Sequence, residues 1–407
     1  MSKEKSLKTI IPKIRFKNFI EAWTRKKLQN LAPLRGGFAF KSEKFQNVGI
    51  PIVRISNIGF DGTVGGEFEY YSKLRPDEKF VLKGRSLLLA MSGATTGKIA
   101  MLDSEEEYYQ NQRVGYFQNN GAVDYDFLSS VLQTKAFTNQ LNAVLVAGAQ
   151  PNISSKEINS FEFCIPESIE EQSAIGSLFR TLDELLASYR DNLANYQSLK
   201  ETMFSKMFPK AGQTVPEIRL DGFEGDWEIK RADEIFKSVS KKNKASLPVL
   251  SASQIDGMVL RDEIGIDIKY DEATLNNYKV VKPGQFVIHL RSFQGGFALS
   301  KLEGITSPAY TIIDFIDKEN NLPSFWNSIL TSRDFIKRLE TVTYGIRDGK
   351  SISFKDFSSL KFVFPNFKEQ QAISSYFSNL DNLINSHQEK ISQLETLKKK
   401  LLQDMFI

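Results

Sequence analysis

Apolar side chains, with one lysine among them, recur at alternating steps of four and three through Leu182, Leu186, Tyr189, Leu193, Tyr196, Lys200, Met203 and Met207. A stripe this narrow marks a helix that packs against another helix. The same spacing returns at Leu380, Ile384, His387, Ile391, Leu394, Lys398, Leu401 and Met405. No proline interrupts either stretch, while Pro166 and Pro365 precede them and Pro209 follows the first. Long helices are therefore predicted within 166–209 and 365–407. Each could pack on its own neighbouring domain, but a seam sustained over this length favours packing of the two helices on each other.

The rest of the chain changes period. Short β-branched runs broken by glycines and polar turns, "GIPIVRISNI" and "RSLLLAMSGATTGKIAMLD" in 1–165, "LPVLSASQI" and "QFVIHLRSFQGGFALSKLEG" in 216–364, predict strands joined by loops. Helical stretches follow in the same order, near "YDFLSSVLQTKAFTNQLN" and "PSFWNSILTSRDFIKRLETV". The expected class is mixed α+β, with two globular domains, 1–165 and 216–364, each followed by a long helix, 166–209 and 365–407.

That order reflects an internal repeat. Pro12, Ile14, Arg15, Phe19 and Trp23 return at one offset as Pro216, Ile218, Arg219, Phe223 and Trp227. "EEQSAI" and "KEQQAI" open the two helices, and the pairs Asp183/Asp381, Leu199/Leu397, Met207/Met405 and Phe208/Phe406 are identical. Because the second domain starts just beyond Phe208, pseudo-twofold symmetry predicts antiparallel helices with a domain at each end.

Composition adds limits. At 407 residues, with 41% hydrophobic and 25% charged content, the chain is long enough for more than one core. No apolar run approaches the roughly 20 residues of a membrane span, and "MSKEKSLKTI" has no signal-peptide core, so no membrane is expected. Cys164 is the single cysteine, which excludes an internal disulfide and makes the cytoplasm the default location. Net charge is only +4, but it is uneven. Residues 1–165 carry 22 basic and 16 acidic side chains, whereas 216–364 carry 21 of each. Nucleic-acid contact in the second domain would thus need a local cluster such as "KKNK" at Lys241 to Lys244.

Enzyme motifs fail in turn. "SGATTGKI" has three residues between Gly93 and Gly97, and Ile99 where a P-loop needs Ser or Thr, so a plain turn is expected. "PDEK" at Pro76 lacks the carboxylate spacing of a nuclease and reads as a solvated turn. With His289, His387 and Cys164 alone, no metal cluster is expected.

The double opening "PKIRF…W" and "PEIRL…W", the paired helix starts and the closing "MF" pairs resemble the specificity subunit of Type I restriction-modification systems over essentially the whole chain. The resemblance implies that each variable block is a target-recognition domain reading one half of a split DNA site. It also implies that the antiparallel coiled coil sets the gap and docks two methyltransferase subunits. Adenine methylation with S-adenosylmethionine, and ATP- and magnesium-dependent translocation and cleavage by restriction subunits, would belong to those partners, with no cofactor or catalytic residue in this chain. At ~1.5 Å per residue, Leu182 to Met207 would span about 38 Å, roughly a turn of DNA.

Base and phosphate contacts call for Arg, Lys, Asn, Gln, Ser and Thr at loop tips. In the first domain the candidates are Lys41, Arg54, Asn57, Ser92, Thr95, Thr96, Lys98, Asn111, Gln112, Arg113 and Asn152. In the second they are Ser253, Gln254, Arg291, Ser292, Gln294, Tyr310, Arg347 and Lys350. The alternative is a coiled-coil scaffold whose globular domains bind protein or carbohydrate.

Overall fold

The structure, a computed structural model, describes residues 11–146, 152–253, 256–264, 272–289, 296–342 and 353–407. It is of the mixed α+β class and divides into two compact units, Met1–Asn192 with His387–Ile407, and Leu193–Ser386. This division cuts both long helices, Ile169–Met207 and Phe367–Asp404, so each unit holds one variable block and a part of each helix.

In the first unit a six-stranded sheet runs Leu34–Gly36, Val114–Phe117, Val81–Ala90, Ile99–Gln110, Ile50–Val53, Glu69–Tyr71. All neighbours are antiparallel except Ile50–Val53 beside Ile99–Gln110. The helices Tyr125–Val131 and Lys135–Val146 fall on the stretch whose pattern predicts them. Asp124 caps the first of these by accepting from Phe127 N, a side chain suited to an orphan donor at a helix start. Phe127, Phe137 and Phe179 share a core with Leu182, Leu186, Leu394 and Met405, and Tyr189, Ile391 and Leu401 pack at its edge.

The second unit is built in the same order with a smaller main sheet, Phe236–Val239, Thr311–Phe315, Phe286–Ile288, Phe297–Leu299, all antiparallel. Helices Pro323–Leu330 and Arg333–Val342 follow it. Met207 and Leu380 are buried with Phe325, Trp326 and Phe377, and Tyr196 and Met203 pack against them. Of the remaining seam positions Ile384 is buried, and Leu193 and His387 are half-buried.

Within each unit the two helical segments run antiparallel. In the first, Phe179 meets Phe406, Asp183 pairs with Lys398, and Arg190 pairs with Glu395 at 2.6 Å, so partner numbers fall as helix numbers rise. In the second, Lys200 pairs with Asp381 and Phe204 meets Phe377. The two lysines that stand on the apolar seam thus reach the same aspartate in opposite repeats.

The duplicated opening has a physical cause. Arg15 donates from Nε and Nη2 to the two carboxylate oxygens of Glu171 at 2.6 and 2.7 Å, and Trp23 Nε1 donates to the same carboxylate at 3.3 Å. Arg219, Trp227 and Glu369 repeat this at 2.8, 2.7 and 3.3 Å. Both glutamates are 1% exposed, and burial of a charge is tolerable only with such partners. Next in sequence, Gln172 accepts from Asp124 N and donates to Pro166 O, as Gln370 does with Leu322 N and Pro365 O. In each "EQ" the glutamate therefore fastens the start of a long helix to the segment that opens the domain, and the glutamine fastens it to the start of the domain's own helical stretch.

"PDEK" departs from the expected solvated turn. Asp77 is buried, accepts from Tyr109 Oη at 3.0 Å and pairs with Lys73 at 2.8 Å. The lysine, helped by the tyrosine hydroxyl, holds its carboxyl below the ordinary range.

Candidate nucleic-acid interface

The expected contacts of the first domain converge through the backbone. Strand Ile50–Val53 ends where Asn111 N donates to Val53 O, 3.1 Å, and Arg54 to Asn57 continues from there. Met91 N donates to Arg113 O at 2.9 Å, and Ile153 N donates to Met91 O at 3.0 Å. Ser92 and Asn152 form a bridge, as do Phe38 and Asn111. Gly37 permits the last approach, because a Cβ there would lie 2.3 Å from the carbonyl oxygens of Gln110 and Asn111. One cluster of turns therefore holds Arg54, Ser92, Asn111, Gln112, Arg113 and Asn152, with Lys41 three residues beyond Phe38.

Gly93 to Lys98 is a turn between antiparallel strands, not the strand-to-helix corner a phosphate-binding loop needs. Thr96 Oγ1 donates to Gly93 O at 2.7 Å and Lys98 N to Thr95 O at 3.0 Å, so the turn is closed by its own hydrogen bonds. It lies against Ile55, whose Cδ1 would sit 3.5 Å from a Cβ on Gly93. The turn that carries Thr95, Thr96 and Lys98 is thereby set against the segment that follows Arg54.

The candidates differ in exposure. Gln112, Arg113, Lys41 and Asn152 are exposed, which suits a partner from solution. Arg54 is half-buried and pairs with Glu69 at 3.5 Å. Ser92 is buried. Asn57 is 2% exposed, and its amide is spent on the loop, accepting from Arg54 N at 3.0 Å and donating to Gly65 O and Glu67 O at 3.1 and 2.9 Å. It shapes the loop rather than facing outward.

In the second unit Ser253 ends the strand Leu250–Ser253, and its Oγ accepts from Asp256 N at 3.2 Å. Tyr310 precedes the strand Thr311–Phe315, and its carbonyl accepts from Lys279 Nζ at 2.6 Å. Its ring lies 6.2 Å from that of His289, whose imidazole is held below its ordinary value by burial. Gln254, Arg291, Ser292, Gln294, Arg347 and Lys350 lie outside the described residues. Among the described residues no group of three or more His, Cys, Asp or Glu could hold a metal ion, and no helix is long and apolar enough to cross a membrane.

One residue of this region was not expected from the pattern. Phe60 projects from the loop after Asn57 with 91% of its surface exposed, and Lys98 Nζ lies 3.0 Å from its ring centroid. The signal was "GFDG", an aromatic flanked by turn formers, which places it at a loop tip.

Comparison with known proteins adds to this geometry. The MjaVIII Type I restriction enzyme specificity subunit of Methanocaldococcus jannaschii is 27% identical over 344 residues, covering 80% of this chain and 79% of that protein. The fold is similar to that of the crystal structure of the Type I restriction-modification S subunit from M. genitalium, with a TM-score of 0.62 at 16% identity over 98% of this chain and 99% of that one. The family model of the Type I restriction modification DNA specificity domain matches residues 20–195 and again 224–396, one copy for each repeat. Two matches that together span most of the chain, one for each copy of the repeat, place this protein in the Type I restriction-modification DNA specificity family.

Proposed function

We propose that this chain reads a bipartite DNA sequence for a Type I restriction-modification complex, one half-site per globular domain. The observation that carries this is the contrast between frame and turns. The buried frame is the same in both repeats, Arg15–Trp23–Glu171 and Arg219–Trp227–Glu369, while the turns at the sheet end differ in sequence. A shared scaffold with divergent loops suits two different targets. In the first domain exposed Gln112, Arg113 and Asn152 supply donors and acceptors for base edges or phosphates.

In this reading the paired helices set the spacer and dock two methyltransferase subunits. S-adenosylmethionine, ATP and magnesium are bound by the methyltransferase and restriction subunits, the chain itself is not catalytic, and the complex works in the cytoplasm. Replacing residues 1–165 with the corresponding domain of a relative should change one half of the methylated motif and keep the other half and the spacer, read by methylome sequencing of a host expressing the complete system. A swap that alters both halves would mean one composite surface. A scaffold for protein or carbohydrate would instead show no DNA binding that weakens steeply with salt.

A further inference from the structure

Single exposed apolar residues are ordinary on protein surfaces. Phe60 differs because its loop is held open on every side. Gly59 N donates to Thr63 O at 2.9 Å, and Asp61 Oδ1 accepts from Thr63 N and Oγ1 at 3.1 and 2.8 Å. Gly62 O accepts from Met101 N at 3.0 Å, which ties the tip to the strand Ile99–Gln110. At the base, Asn57 spends its amide on Gly65 and Glu67, and Ile58 is the residue the loop buries. The ring therefore stays outside by construction, beside the turn that carries Thr95 and Thr96.

Lys98 covers one face of the ring. A cation on an aromatic face is attracted by its quadrupole, and here it leaves the opposite face and the edge free. Full insertion between stacked bases would need both faces. A ring with one free face and an ammonium beside it matches a different target, an apolar group on a base edge next to a phosphate. In the major groove that apolar group is the thymine methyl.

We propose that Phe60 packs on a thymine methyl in the half-site read by the first domain, with Lys98 on an adjacent phosphate. This rests on the DNA-reading function proposed above, and it commits the pair to specificity as well as affinity. Asp61 is the nearest carboxylate in sequence, and its Oδ1 is already occupied by Thr63. Glu69 is paired with Arg54. Asp61 keeps its negative charge, because Thr63 offers it only neutral donors, so the Lys98 ammonium beside the ring is what offsets that charge for an approaching phosphate.

The test uses the full chain assembled with its methyltransferase subunits, and a duplex bearing the motif that methylome sequencing returns for the wild type. Each thymine of the first half-site is replaced by uracil, which removes only the methyl. One such replacement should weaken wild-type binding by about fourfold, the worth of one buried methyl group. Phe60→Ala should bind the thymine duplex correspondingly less well and lose nothing further at that position, with an unchanged melting temperature and an unchanged salt slope. Lys98→Gln should lower the slope by about one ion.

Equal sensitivity of wild type and Phe60→Ala to every uracil would overturn the inference. So would Phe60→Ala weakening assembly with the methyltransferase in the absence of DNA, which would make the ring a protein contact. A wild-type complex that shows no sequence-specific binding would instead count against the proposed function.

Discussion

Glu171 and Glu369 show what a single buried carboxylate can organise. Each takes two guanidinium donors and one indole donor, and each raises its arginine above the ordinary value through the side-chain hydrogen bonds. The copies are not equal, however. Arg15 Nη1 has no partner, whereas Arg219 Nη1 donates to Gly225 O at 2.5 Å. Glu171→Ala should lower the stability of the first unit by about 3 kcal/mol, since it strands a buried arginine. Denaturant unfolding, followed by Trp23 fluorescence with Trp227 and Trp326 replaced by Phe, measures it. Glu171→Gln should cost less, because a neutral acceptor remains.

At the scale of elements, the long helices were the most legible part of the sequence, and the reason is their period. Alternating steps of four and three are hard to produce by anything except a helix seam, and the described helices Ile169–Met207 and Phe367–Asp404 carry those positions. The turn in "SGATTGKI" was legible too, from a glycine spacing too short for a P-loop and from Ile99 in place of Ser or Thr. Asp77 was not, because nothing local in "PDEK" reveals that Tyr109 will lie above it. Asn57 misled for a similar reason: a polar side chain at a loop tip and one that braces a loop from inside have the same letter. Lys398 and Lys200 interrupt the apolar seam, and each pairs with the aspartate of the other repeat. Reversing one pair tests this. Asp183→Lys should destabilise the first unit, and adding Lys398→Asp should recover about 0.5–1 kcal/mol, modest because Asp183 is partly exposed. A thermal double-mutant cycle gives the coupling directly.

For the whole molecule, the instructive residue is Phe406. Its ring lies 6.1 Å from Trp23, 5.6 Å from Phe127 and 5.7 Å from Phe179, so the first unit is closed by a residue from the end of the second long helix. Phe208 does the same for the second unit, 6.0 Å from Trp227 and 5.8 Å from Phe325. Phe406→Ala should cost the first unit about 2–3 kcal/mol. Hydrogen exchange should then show faster opening of helix Tyr125–Val131 and unchanged protection of Pro323–Leu330. The repeat was visible in the sequence, and antiparallel helices with a domain at each end already imply this exchange of ends, but the identical "MF" pairs do not say that each phenylalanine enters the aromatic core beside Trp23 or Trp227.

The same closure sets an order of events during synthesis. A ribosome releases the first domain long before it makes residues 387–407, yet Leu394 and Met405 belong to that domain's core. The first unit must wait, incompletely buried, while the whole second unit is translated, whereas Leu193–Ser386 emerges as one continuous stretch. In the nascent chain, the part made first is the part finished last.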